Sequence, residues 1–150
     1  MVGDPPREIE AELGQRLEDL GRTLGAREAA HREGLHAARA CAEQLHAEVE
    51  AALERFHAAV VEAGAPHLQI ELSEIRLDDK HLRAVEFNLC RGRHKAVVTA
   101  KSRGEVTLVG PFRMGKDEGP CLSFPVSAPQ ELRRALGDFL ERFLEEAAAP

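Results

Sequence analysis

The sequence predicts an α+β protein with a long N-terminal amphipathic helix, an antiparallel β-meander of about four to five strands, and a C-terminal helix packed on the sheet. Three observations carry this prediction. An apolar stripe repeats at helical spacing from Ile9 to Val60, apolar and polar residues alternate between Leu68 and Val126, and helical spacing returns from Leu132 to Leu144.

The stripe runs Ile9, Leu13, Leu17, Leu20, Leu24, Arg27, His31, Leu35, Ala38, Ala42, Leu45, Val49, Leu53, Phe56 and Val60. Its steps are threes and fours averaging about 3.6, the turn of an α-helix. Asp4 with Pro5 and Pro6 suits a helix start, since proline is tolerated in the first turn and an acid complements the macrodipole. Gly21, Gly25 and Gly34 oppose continuity, each costing about 1 kcal/mol relative to alanine. Phase favours it: at ~100° per residue, stripe positions on both sides of Gly25 stay within about 40° of one line. One continuous helix with a soft region from Gly25 to Ala42 is therefore expected. In that region Arg27 and His31 interrupt the apolar line, and Ala38 and Ala42 are small.

Gly64-Ala65-Pro66 closes the helix. Leu68, Ile70 and Leu72 then alternate with polar residues, and Ile75 and Leu77 resume after one extra residue, which predicts a bulge near Ser73 and Glu74. Asp78-Asp79-Lys80 is a turn signal. Val85, Phe87 and Leu89 form the next strand, Gly92 a turn, residues 94–101 a third strand, and Arg103-Gly104 a hairpin leading to Glu105–Val109. A loop is expected from Gly110 to Pro120, then a short strand through Leu122, Phe124 and Val126. Ser127 and Gln130 have capping-box spacing, and the last helix presents Leu132, Leu136, Phe139, Leu140, Phe143 and Leu144 on a wide apolar face.

The expected division is a helical, coiled-coil-like dimerisation segment over 1–66 and a compact α+β domain over 67–150. A helix from 9 to 60 is roughly 78 Å long at ~1.5 Å per residue, whereas the remainder spans about 30 Å. Less than half of the stripe finds shelter in the compact part, and a leucine surface of the remaining length asks for a partner. A second copy is the expected one. Leu13, Leu17, Leu20, Leu24, His31, Leu35, Leu45, Val49, Leu53 and Phe56 are the expected dimer contacts.

Composition narrows the function classes. The net charge is −6, and residues 1–66 hold 7 basic and 13 acidic side chains, an acidity unsuited to phosphate or anionic lipid. With no Trp or Tyr, aromatic stacking platforms are scarce. Three cysteines without CxxC spacing suit a reducing compartment, the N-terminus lacks a signal-peptide pattern, and no apolar run would span a bilayer. A cytoplasmic protein without membrane attachment is expected.

Candidate chemical motifs are weak. Glu28/His31, Glu33/His36, Glu43/His46 and Glu54/His57 have the Glu-x-x-His spacing of di-metal bundles, but the four histidines do not converge on one face. Gly110 to Lys116 fits the spacing of a phosphate loop, yet Asp117 stands where Ser or Thr is needed and Pro120 forbids the following helix. Cys90 and His94 are close in sequence, on a hairpin ill suited to a nucleophile pair. No catalytic residue, metal ligand or cofactor is expected. Arg91, Arg93, Lys95, Lys101 and Arg103 form a basic hairpin that, with Phe112 and Met114, is the expected docking patch for an unidentified protein partner. The leading expectation is a non-enzymatic homodimeric interaction module, an adaptor, chaperone-like factor or assembly subunit. A metal-binding helical protein and a weak nucleic-acid binder acting through the basic hairpin are the alternatives.

Overall fold

The computed structural model describes residues 5–78, 83–115 and 119–150. Its elements are α1 (Pro5–Glu62), β1 (Glu71–Leu72), β2 (Arg76–Leu77), β3 (Ala84–Arg91), β4 (His94–Lys101), β5 (Glu105–Arg113), β6 (Cys121–Pro125) and α2 (Pro129–Ala147). This is the expected α+β order of long helix, antiparallel sheet and closing helix. The expected turn at Asp79 and Lys80, and Lys116, Asp117 and Glu118 of the expected loop, lie outside the described residues. The chain divides into two compact units, Met1–Glu33 and Gly34–Pro150, so α1 contributes residues to both.

In the first unit the helix is held by local pairs. Asp19 accepts hydrogen bonds from Gln15 (3.1 Å) and Arg22 (3.2 Å), and its carbonyl accepts one from the Thr23 hydroxyl (3.0 Å). Arg32 pairs with Glu28 at 3.4 Å. Such pairs at three and four residues' separation support a solvated helix face. The apolar face has no such support, and Ile9, Leu13, Leu17, Leu20 and Leu24 are all about half exposed, from 49% to 63%.

The second unit is built on the sheet, ordered β1/β2, β3, β4, β5, β6 and antiparallel throughout. β1 and β2 pair with the same strand, but Leu72 lies opposite Leu89 while Arg76 lies opposite Glu86, which leaves one extra residue between them. That is the expected bulge. Ser73 resolves it, because its backbone N–H donates to the Asn88 carbonyl (2.9 Å) while its hydroxyl accepts from the Asn88 N–H (2.8 Å). The strand expected from Leu68 begins only at Glu71. The Ile70 N–H donates instead to His57 Nε2 of α1 at 3.0 Å, so this stretch is tied to the helix before it reaches the sheet.

Gly92 (φ 58°) and Gly104 (φ 91°) supply the left-handed conformations of the β3–β4 and β4–β5 turns. The expected loop from Gly110 is corrected: β5 continues to Arg113. Pairing passes from Val97–Val109 to Lys95–Phe112, with an extra residue absorbed on β5 at Gly110 and Pro111. Gly110 has φ 115°, and a Cβ there would sit 3.0 Å from the Lys95 carbonyl oxygen, so the close crossing needs glycine. A bulge also accommodates a proline, which has no N–H to give the ladder. The expected capping box does not form either, since α2 is capped at Ala128, with no side-chain cap and Pro129 in the first turn.

One face of the sheet carries Val85, Phe87, Leu89, Ala96, Val98, Ala100, Val106 and Leu108, all in the core. Against it pack Ala38, Ala42, Leu45, Val49 and Leu53 of α1 and Leu132, Leu136, Phe139, Phe143 and Ala147 of α2. Arg133 of α2 pairs with Glu48 of α1 at 3.2 Å. The smallness of Ala38 and Ala42 marks close packing, not the weak point expected of them: they are 4% and 1% exposed. Gly34 belongs to the same device, because a Cβ on it would collide with the Ser102 carbonyl oxygen.

Candidate interaction surfaces

The expected dimer contacts divide sharply. Leu13, Leu17, Leu20 and Leu24 project from the first unit and remain exposed. Leu45, Val49 and Leu53 are buried in the core of the second unit, and Phe56 is partly buried against it. Leu45, Val49 and Leu53 are corrected as dimer contacts, because the chain's own sheet and α2 already cover them. His31 and Leu35 are half-buried.

The histidines of the helix that carry geometry are structural. His46 Nε2 lies 2.8 Å from the Ser73 carbonyl, and its ring meets Phe87 edge-on at 5.1 Å. His57 accepts the Ile70 N–H. Together they hold the bulged edge of the sheet, at β1, to α1. The signal for this was in the sequence, since positions eleven apart return to nearly the same helix face at ~100° per residue. What the sequence lacked was the strand edge they meet. Among the described residues no group of three or more His, Cys, Asp or Glu side chains is placed to hold a metal ion.

The expected basic patch does not assemble. Arg91 donates to the Ala147 carbonyl at 2.7 Å, where a cation satisfies the last turn of α2. Lys101 and Arg103 both pair with Glu105, at 3.4 and 2.7 Å, and the two cations hold its carboxyl below the usual carboxylate range, with the Arg103 hydrogen bond the larger cause. Arg93 sits in the β3–β4 turn at the other end of β4, beside exposed Met114, whose N–H donates to the Arg93 carbonyl at 2.7 Å. Lys95 is half-buried between Cys90 and Phe112 in the cross-strand row. Hairpin geometry thus sends these cations to two ends and two faces.

The same alternation separates Cys90 from His94. Cys90 pairs across from Lys95 on the face opposite the core and donates to Asn88 Oδ1 at 3.5 Å, while His94 follows the phase of the core-facing Ala96 and Val98. Burial raises the Cys41 thiol pKa and so disfavours the reactive thiolate, an effect that the Arg133 cation partly offsets.

The surface that sequence reasoning missed is a groove of about 350 Å³ between β5, β6 and α2. Leu108, Leu122, Phe124 and Phe139 form its apolar walls, and Asp138 and Arg142 stand on α2 at its margin. Leu122, on the edge strand, is 60% exposed. Alternation placed Leu122 on the core side, but only the tertiary structure shows α2 stopping short of covering it. Among the described residues no helix is long and apolar enough to cross a membrane. No protein-family model, curated protein or solved structure matches this chain.

Proposed function

We propose that this chain is a non-enzymatic, homodimeric protein-interaction module, cytoplasmic in location, that pairs through the first unit and docks a protein partner through the second. The observation that carries the reading is the half-exposed run of Ile9, Leu13, Leu17, Leu20 and Leu24 on one helix face. Isolated exposed apolar side chains are ordinary; four leucines and an isoleucine in one line are an unfinished interface. Covering the exposed remainder of five such side chains, at about 1.5–3 kcal/mol for a fully buried one, yields about 4–8 kcal/mol per copy. Association costs ~4–15 kcal/mol. The two are close enough that the dimer should form and dissociate with concentration.

In the second unit the groove beside Leu122 replaces the dispersed basic patch as the docking surface. It offers apolar walls to a side chain of the partner, with Asp138 and Arg142 to orient it. Neither alternative draws comparable support. His46 and His57 are occupied by Ser73 and Ile70, and the hairpin cations are neutralised locally or divided between two ends.

Sedimentation velocity over a range of concentrations tests the pairing. The wild-type chain should pass from monomer to dimer, and Leu17→Glu with Leu20→Glu should hold it monomeric while far-UV circular dichroism keeps the signal of the second unit. A wild-type chain that sediments as monomer throughout would remove the reading.

A further inference from the structure

A free strand edge borders the groove beside Leu122. We infer that edge and groove together take up a short extended peptide of apolar-x-apolar pattern with a basic flank, which joins the sheet beside β6; this rests on the docking role given to the groove above.

The edge supplies the first observation. β6 ends the sheet on one side. In an antiparallel ladder alternate residues bond to the neighbouring strand, and the rest turn their N–H and C=O outward. The Gly110 N–H donates to the Pro120 carbonyl (2.8 Å) and the Val126 N–H to the Gly104 carbonyl (3.0 Å), so bonded pairs bracket β6. Leu122 and Phe124 keep that phase, and Cys121 and Ser123 therefore turn two donors and two acceptors away from β5. Both residues are exposed. Pro125 ends this edge, having no N–H and giving its carbonyl to the Ala128 N–H at 3.1 Å.

Sheet edges are normally guarded, and the opposite edge of this sheet is. There β1 and β2 have two residues each, are interrupted by the bulge, carry Glu71 and Arg76, and follow Ile70, which is tied to His57. β6 has five residues and no charged side chain.

The groove specifies the side chains of an added strand. Cross-strand partners share a face, so Leu122 lies beside Leu108 and Phe124 beside Val106 on the core side, while Ser123 meets Thr107 on the other, hydroxyl to hydroxyl at 2.9 Å. Leu108 is 1% exposed, and its partner Leu122 is 60% exposed. A peptide residue paired with Ser123 has its two neighbours over Leu122 and Phe124, where apolar side chains complete the cover. Charge complementarity sets the flank. The ion pairs of α2 join Arg133 to Glu48 and Arg142 to Glu146, and Asp138 at the groove margin has none among the described residues. A cation on the peptide supplies it. An amphipathic helix in the groove would leave the outward groups of Cys121 and Ser123 unpaired.

Binding of a lysine-flanked Val-Thr-Val peptide to the full-length chain, followed by NMR, tests this. The Cys121 and Ser123 amides should shift and gain protection from hydrogen exchange. Ser123→Pro removes one outward donor without touching the bonds to β5 and should weaken binding about tenfold, while Ser123→Ala, which loses only the hydroxyl, should not. The amides of an extended peptide alternate between its two edges. N-methylation of one set, the threonine or the two valines, should therefore abolish binding while methylation of the other leaves it. These arms use the wild-type chain, so they decide even where Ser123→Pro does not fold. Asp138→Asn, or glutamate in place of the lysine flanks, should weaken binding about two- to fivefold. A peptide that is lost on Leu122→Glu yet indifferent to both methylations overturns strand addition and leaves groove docking standing. Self-association abolished by Ser123→Pro makes a second copy the occupant and also overturns the partner strand. No binding of any of these peptides at millimolar concentration overturns both the added strand and the docking groove.

Discussion

The two halves of one stripe make the most instructive comparison in this protein. Leu13, Leu17, Leu20 and Leu24 share the period and the phase of Ala42, Leu45, Val49 and Leu53, yet the first set is about half exposed and the second at most 5% exposed. Glycine shows the same contrast. Gly34 is dictated by the Ser102 carbonyl that leaves no room for a Cβ, whereas among the described residues nothing lies within 4 Å of a Cβ built at Gly14, Gly21 or Gly25. Periodicity therefore reports that a face exists and is apolar; it does not report what covers it. In the second unit the cover is intramolecular, and in the first the side chains stay about half exposed.

The strongest way to break this comparison is to truncate one leucine in each half. Leu45→Ala should cost about 2–5 kcal/mol of stability through the cavity it leaves, seen as a lower midpoint in denaturant. Leu17→Ala should change the monomer's stability by less than about 0.5 kcal/mol and act on dimerisation instead. Equal losses in the monomer would mean that the first half is also buried within one chain.

Glycine replacement sharpens the contrast. Gly34→Ala forces α1 away from the β4–β5 turn and should destabilise by about 1–3 kcal/mol. Gly21→Ala, with nothing among the described residues within 4 Å of the added Cβ, should instead stabilise the helix by about 1 kcal/mol, readable by thermal melting. A smaller effect belongs to the turn that Gly34 faces. Glu105, held below its usual pKa by Arg103 and Lys101, stabilises the fold above the ordinary carboxylate range, and that contribution disappears as pH falls through its lowered value. Glu105→Gln should therefore lower the melting midpoint slightly near neutral pH and leave it unchanged in acid, with no effect on pairing of the first unit.

Much of the fold was legible because its signals are local. The long period of α1 outweighed its glycines, the one-residue slip near Ser73 announced a bulge, and Gly92 and Gly104 announced hairpins. The errors share a cause. Gly110-Pro111 reads as the start of a loop, but β4 stands alongside and recovers the strand after one bulged residue. Ser127 and Gln130 have capping spacing, but Ala128 takes the cap. Arg91, Lys101 and Arg103 cluster in the sequence, but the hairpin sets Arg91 at one end, against Ala147, and the other two at the far end with Glu105. In each case a partner distant in sequence, or the exact backbone path, decided the outcome.

By itself the sequence determined the order of elements, the apolar face of each and the acidity of the helix, because periods of 3.6 and 2 are properties of neighbouring residues along one chain. Only the tertiary structure decided where on α1 the core begins, that Ala38 and Ala42 are buried in it, that His46 and His57 hold the sheet edge, and that a groove stays open beside Leu122. These follow from which surfaces meet, and burial is a property of pairs of elements that no single stretch encodes.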